Sequence, residues 1–166
     1  MKAILITNND IKRFSPLSGN IDDDKLSTYI ELAQEIHVQS YLGTKLYDAI
    51  QVHALADTMP ASYTLLIDEY IKPMLMRWAI VEFMPFASYT IANGGVFKHK
   101  SENSESVSKE EVDAMELKST QVAIHYTERL ISFLCSNSND YPEYNTNIDS
   151  DMKPNRNSSY GGLFLN

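Results

Sequence analysis

Apolar side chains recur at steps of three and four along most of this chain, and the pattern is clearest between Ile21 and Ile50. There Leu26, Tyr29, Ile30, Ala33 and Ile36 share one helix face, Gly43 follows Tyr41 and Leu42, and Leu46, Ala49 and Ile50 restart the period. The stretch predicts a helix, a tight turn at a residue that tolerates positive φ, and a second helix fading near Asp57. Asp22, Asp23 and Asp24 open it, where carboxylates accept free N–H groups and complement the positive end of the helix dipole. Upstream, Thr7 and Asp10 have capping-box spacing for a short helical turn through Phe14, which Ser15 and Pro16 end. Residues Met1 to Ile6 are expected to be extended or disordered.

Pro60 suits the first turn of a new helix, because its missing N–H would be unpaired there anyway. From Ser62 to Asn93 large apolar residues dominate, among them Leu66, Met74, Leu75, Trp78, Val81 and Phe83, and this stretch predicts the central helix. Pro73 and Pro85 interrupt it, each costing about 3 kcal/mol in a regular helix, so a kinked helix or collinear pieces are expected. Asn93, Gly94 and Gly95 read as its stop. Val96 to Ser106 is poor in apolar residues and reads as an exposed loop, open or of hairpin type. Ser108 and Glu111 then form a capping-box pair, and Val112, Met115, Val122, Tyr126, Leu130 and Phe133 carry a last long helix over Lys109 to Leu134.

Composition changes after Cys135: Ser136 to Asn166 holds seven asparagines and five serines in 31 residues. Such a segment does not fold alone, yet it ends in an apolar cluster. It is read as an arm that orders on a partner, with Tyr160, Leu163, Phe164 and Leu165 as its anchor and Tyr141 and Tyr144 as further partner-binding aromatics. The expected fold is all-α: a bundle of about four helices, one long and proline-kinked, with an exposed loop, a body over 1–135 and an extended arm over 136–166.

The net charge of −8 and pI near 4.9 argue against gripping nucleic acid through its phosphates, which requires clustered Lys and Arg. A single cysteine, Cys135, precludes an internal disulfide and is expected to be a small buried hydrophobe. The opening MKAILITNND lacks the form of a secretion signal, so the chain is expected to stay where it is made. Met74 to Ala92 carries Arg77, Glu82 and Pro85 and reads as a buried helix rather than a membrane span. No catalytic residue, metal site or cofactor is assigned. His125 and Glu128 share a helix face but are too few for a closed metal site, and only a facing pair such as Glu31 and Glu35 would complete an all-α enzyme centre.

Several local sequences set this chain beside a known group. The AspAspAspLysLeu helix start, Ala33–Gln34, TyrLeuGly at 41–43 followed by LeuTyrAspAlaIle, TyrIleLysPro at 70–73 and AsnGlyGlyVal at 93–96 together resemble the head-tail connector (adaptor) proteins of tailed bacteriophages. The resemblance covers roughly Thr7 to Leu134 and lies in spacing and order. It implies a helical protomer made in the host cytoplasm that forms a homo-oligomeric ring, commonly twelve-fold, under the portal protein at the capsid–tail interface of the virion. Further tail or ring proteins are implied as partners, with packaged DNA passing through unbound. An acidic wall would repel the phosphates and let DNA slide. Asp22, Asp23, Asp24, Lys98, Lys100 and Glu102 are the candidates to face that channel. The long asparagine-rich arm departs from compact members of the group. The alternative reading is a small cytosolic helical regulator that binds one protein partner.

Overall fold

The computed structural model describes residues 2–14, 23–87, 89–92, 95–98, 108–146 and 151–157, the two four-residue stretches as backbone. The architecture is an all-α bundle, with one short antiparallel hairpin beside it. Helix α1 (Asn8–Phe14) starts on the predicted cap: Thr7 N–H donates to Asp10 Oδ2 at 2.7 Å and Asp10 N–H to Thr7 Oγ1 at 3.3 Å. Helix α2 (Asp23–Ala33) runs through a π-helical turn, Gln34–Val38, into α3 (Gln39–Leu42). Leu26, Ile30 and Ala33 are buried as the periodicity requires. Ile36 is not: it is 48% exposed, and Gln34, His37 and Val38 take the inward positions of the wide turn. Hydrophobicity favoured Ile36, and the helix phase placed its polar neighbours inside instead.

Gly43 makes the predicted corner at φ +74° and ψ 155°, a backbone region essentially closed to other residues. Helix α4 (Thr44–Ala56) follows and ends where expected, with Asp57 left-handed at φ 52°. The central helix is built in pieces: α5 (Ala61–Leu66), a second π turn at Ile67–Ile71, α6 (Lys72–Phe83) and a 3-10 turn at Met84–Phe86. Both prolines mark the joints. Pro73 lies just past the wide turn, which relieves the clash a proline makes with the preceding turn, and Pro85 lies in the tight turn that ends the helix. The expected run to Asn93 is therefore corrected. Tyr89–Ala92 (β1) pairs antiparallel with Gly95–Lys98 (β2), Ala92 opposite Gly95. Asn93–Gly94 between two β-prone tetrapeptides is a hairpin signal, not a helix stop.

Helix α7 (Lys109–Ser136) opens on the predicted Ser108–Glu111 capping box, complete in both directions. Holding Ser108 keeps the Glu111 carboxyl below its usual range. Its buried residues begin only at Ala123 and continue through Leu130, Ile131 and Leu134, so 109–122 presents no buried side chain. Cys135 lies one position past Leu134 and is exposed, which corrects its assignment to the interior. Among the described residues no helix is long and apolar enough to cross a membrane.

The chain after α7 returns to the bundle. The short helix α8 (Pro142–Asn145) lies against α4, and 151–157 comes back to the Gly43 corner. Thr44 N–H donates to Met152 O at 2.9 Å, Met152 N–H to Thr44 Oγ1 at 3.0 Å, and Asn155 N–H to Ser40 O at 2.9 Å. Pro154 packs on Gly43 so closely that a Cβ there would stand 2.7 Å from Pro154 Cδ. Gly43→Ala therefore meets both a forbidden backbone region and a steric wall. It is expected to cost about 2 kcal/mol or more, read as a lowered urea midpoint, with faster amide exchange at Met152 and Asn155 than in the wild type.

Candidate functional site

Three features distinguish this bundle: a buried polar chain at its centre, two clasped end segments, and a groove beside α1. The first begins at Trp78, which is fully buried on α6. Its ring stacks on His37 with centroids 3.8 Å apart and planes 9° apart, and its Nε1–H donates to Thr127 Oγ1 at 3.0 Å. Thr127 Oγ1–H in turn donates to Ala123 O at 2.9 Å. His37 Nε2 meets Glu82 Oε1 at 2.8 Å. Burial holds the His37 imidazole below its ordinary range, and the Glu82 carboxylate opposes that only in part. The neutral ring, donating Nε2–H to the carboxylate, is the form that fits.

The second feature is the fixing of both ends by side chains and single backbone bonds. Gln34 and Gln51 are buried glutamines that face the irregular stretch Ala3–Ile6. Leu5 N–H donates to Gln34 Oε1 at 2.9 Å, Ala3 N–H donates to Gln51 Oε1 at 2.6 Å, and Ala3 O accepts from both amide nitrogens at 2.9 and 3.1 Å. Of the stretch expected to be extended or disordered, the described residues 2–6 are held without regular secondary structure, bent at Leu5 and Ile6, with Ile6 buried. Gln34 also donates to Tyr47 Oη, so one side chain from the π turn serves the N-terminal stretch and α4 together.

At the other end, Tyr141 and Tyr144 are each 1% exposed, which corrects their assignment as partner-binding aromatics on an arm. Tyr141 Oη–H donates to Ser62 O at 2.9 Å and its ring stacks on Tyr63 at 5.9 Å. Burial pushes Tyr144 up to about 12, and the Arg156 guanidinium lies 5.1 Å from its ring centre. Aromatic area and backbone acceptors outweighed the polar composition, and the body runs on to Asn157 among the described residues. Tyr160, Leu163, Phe164 and Leu165 lie outside the described residues, as do Asp22, Lys100 and Glu102, and Lys98 is placed only as backbone in β2. Asp23 and Asp24 occupy the first turn of α2, where Asp23 pairs with Lys12 at 2.7 Å.

The third feature is a groove of about 380 Å³ between α1, α6 and α7, lined by Phe14, Pro73, Met76, Arg77, Tyr126 and Arg129 among others. The guanidinium groups of Arg77 and Arg129 lie 5.6 and 5.8 Å from the Tyr126 ring centre. Arg77 Nη1 donates to Phe14 O at 3.1 Å, while its buried Nε has no partner. Glu31, Glu35, His125 and Glu128 do not come together as a centre. Glu35 pairs with Lys2 at 2.6 Å, and His125 and Glu128 line a shallow hollow of about 500 Å³ beside Tyr70. Among the described residues no three His, Cys, Asp or Glu side chains gather as metal ligands.

Sequence reasoning missed Gln34, His37 and Gln51, although each lies in phase with apolar neighbours on a helix, and a polar residue at a core phase is the signal that finds them. Arg77 and Arg129 left no such signal, because their pairing around Tyr126 depends on how α6 meets α7.

A model of the family of unknown function DUF6712 matches residues 38–153, from the end of the first π turn to the segment clasped at Gly43. No curated protein and no solved structure matches the chain.

Two measurements check the buried chain. The folded state takes up the His37 proton less readily than the unfolded chain, so the stability this group confers is present above pH 6.5 and is lost as pH falls below it. The urea midpoint of His37→Phe is expected to decline less between pH 7.5 and pH 5 than that of the wild type. Thr127→Val leaves the Trp78 N–H buried without an acceptor and is expected to cost about 1–3 kcal/mol, while Thr127→Ser retains most of the stability.

Proposed function

The chain belongs to DUF6712, a family of unknown function, and we propose that it is a structural protein of a tailed-phage virion that forms a ring below the portal, joins capsid to tail and extends the DNA channel. The observation that carries this reading is the first half of α7. The stretch 109–122 is helical, capped at its start and without a buried side chain, with Leu117 62% and Met115 46% exposed. A helix held out this way invites neighbours, because helical stability in proteins comes mostly from packing an apolar face. Ring contacts between identical protomers supply such packing without any chemistry at a catalytic centre.

The charge balance supports the same role. With a net charge of −8 the ring would carry a strongly negative field, and a wall that repels phosphates suits a conduit through which DNA slides. Asp23 and Asp24, both exposed, are the described residues proposed to face that channel. With 151–157 clasped at Gly43, the proposed docking arm is 158–166, with Tyr160, Leu163, Phe164 and Leu165 as its anchor for the portal or a further tail ring.

Two experiments test the reading. Sedimentation velocity and negative-stain imaging of purified protein are expected to give closed rings with a central opening. Monomers or dimers at every concentration would instead favour a small helical regulator. A chain truncated after Asn157 is expected to keep its urea midpoint and its rings while losing incorporation into portal-containing particles. One truncated after Asn139 also loses stability, because Tyr141 and Tyr144 leave the core.

A further inference from the structure

The groove beside α1 lacks what the exposed first half of α7 offers. The groove has an apolar floor from Phe14, Pro73 and Met76, and two guanidinium groups, Arg77 and Arg129, flank Tyr126. Of its three acids, Asp68 pairs with Lys72 at 2.6 Å and Asp10 caps α1 through Thr7, while Glu69 is exposed. Phe14 is 54% exposed, so the floor is open as well as apolar. The fitting ligand therefore carries a carboxylate and a branched apolar side chain about one helical turn apart.

Glu110, Asp113 and Leu117 meet that description. They are exposed, spaced three and four residues apart, and so form one stripe on α7. The surrounding stretch is acidic, with Glu110, Glu111, Asp113 and Glu116 against Lys109 and Lys118. Asp113 and Arg129 are on the same unbroken helix, about 24 Å apart along its axis. A chain cannot bend that helix to fill its own groove, so the stripe that enters must come from another molecule.

We infer that the groove of one protomer seats the Glu110–Asp113–Leu117 stripe of a second copy, with Asp113 between Arg77 and Arg129 and Leu117 against Phe14 and Met76. The inference rests on the ring reading and adds its contact. The groove and the stripe lie at different places on the protomer, so the contact can repeat head to tail, and the ring reading takes it in that form rather than as a reciprocal pair in a two-fold dimer.

Charge reversal tests the pairing, and the size of the species formed separates a head-to-tail ring from a two-fold dimer. Arg129→Glu and Asp113→Arg are each expected to raise the dissociation constant of assembly at least about tenfold in sedimentation velocity. Mixed in equal amounts, the two variants should assemble together again. At one joint the introduced glutamate at position 129 meets the introduced arginine at position 113, and at the next the original Arg129 meets the original Asp113. The double variant should assemble alone. If either single variant assembles like the wild type, or if the mixture stays dissociated while the wild type forms rings, the interface is overturned and the ring reading stands. A wild-type chain that is monomeric at every concentration overturns both.

Discussion

The indole of Trp78 commits a ring face to His37 and its N–H to Thr127, and those two contacts set where the first π turn, at the end of α2, and α7 sit on α6. A tryptophan this deeply buried contributes large apolar area, but area alone leaves packed helices free to slide by a turn. The hydrogen bond and the stack remove that freedom, since a slip of either neighbour would strand a buried donor or imidazole. Everything peripheral inherits the geometry. The groove between α1, α6 and α7 exists because α7 crosses α6 at the position fixed by Thr127, two residues before Arg129 on the same helix.

Around that centre the chain uses polar side chains to hold segments that have no secondary structure of their own. Gln34 and Gln51 act as a sheet edge would, offering amide donors and acceptors to the main chain of Ala3–Leu5. Side-chain amides read backbone and not sequence, so this clasp constrains the path of the N-terminal stretch while leaving its residues free to vary. Gln34, His37 and Val38, at three- and four-residue steps, all face inward from the π turn, so one turn serves the N-terminal stretch and the central stack.

Much of this fold was legible in the residues. The two capping boxes, the Gly43 corner, the end of α4 at Asp57 and the length of α7 all follow from local chemistry that acts over three or four positions. What failed did so where a distant partner decided. Periodicity favoured Ile36 over His37 because hydrophobicity is visible in sequence and a stacking partner forty-one positions away is not. Tyr141 and Tyr144 were assigned to a solvated arm because asparagine and serine surround them, yet the bundle supplies the backbone acceptor of Ser62 and the ring of Tyr63. The hairpin was readable in Asn93–Gly94, but the apolar run before it overrode the turn signal. The groove was not legible at all, since Arg77 and Arg129 are fifty-two residues apart and only the α6–α7 crossing joins them.

The contact between Gly43 and Pro154 also sets an order of events in time. Met152 and Thr44 are separated by 108 positions, so their bonds cannot close until nearly the whole described chain has left the ribosome, long after α2 to α6 can pack. Until then the corner is bare. Closing the clasp is thus a record that synthesis has reached Asn155 and that α7 has folded back. A chain cut short before that point leaves the Gly43 corner uncovered and lacks every bond that ties Ser40 and Thr44 to 152–155, so the fold itself distinguishes a finished copy from a broken one.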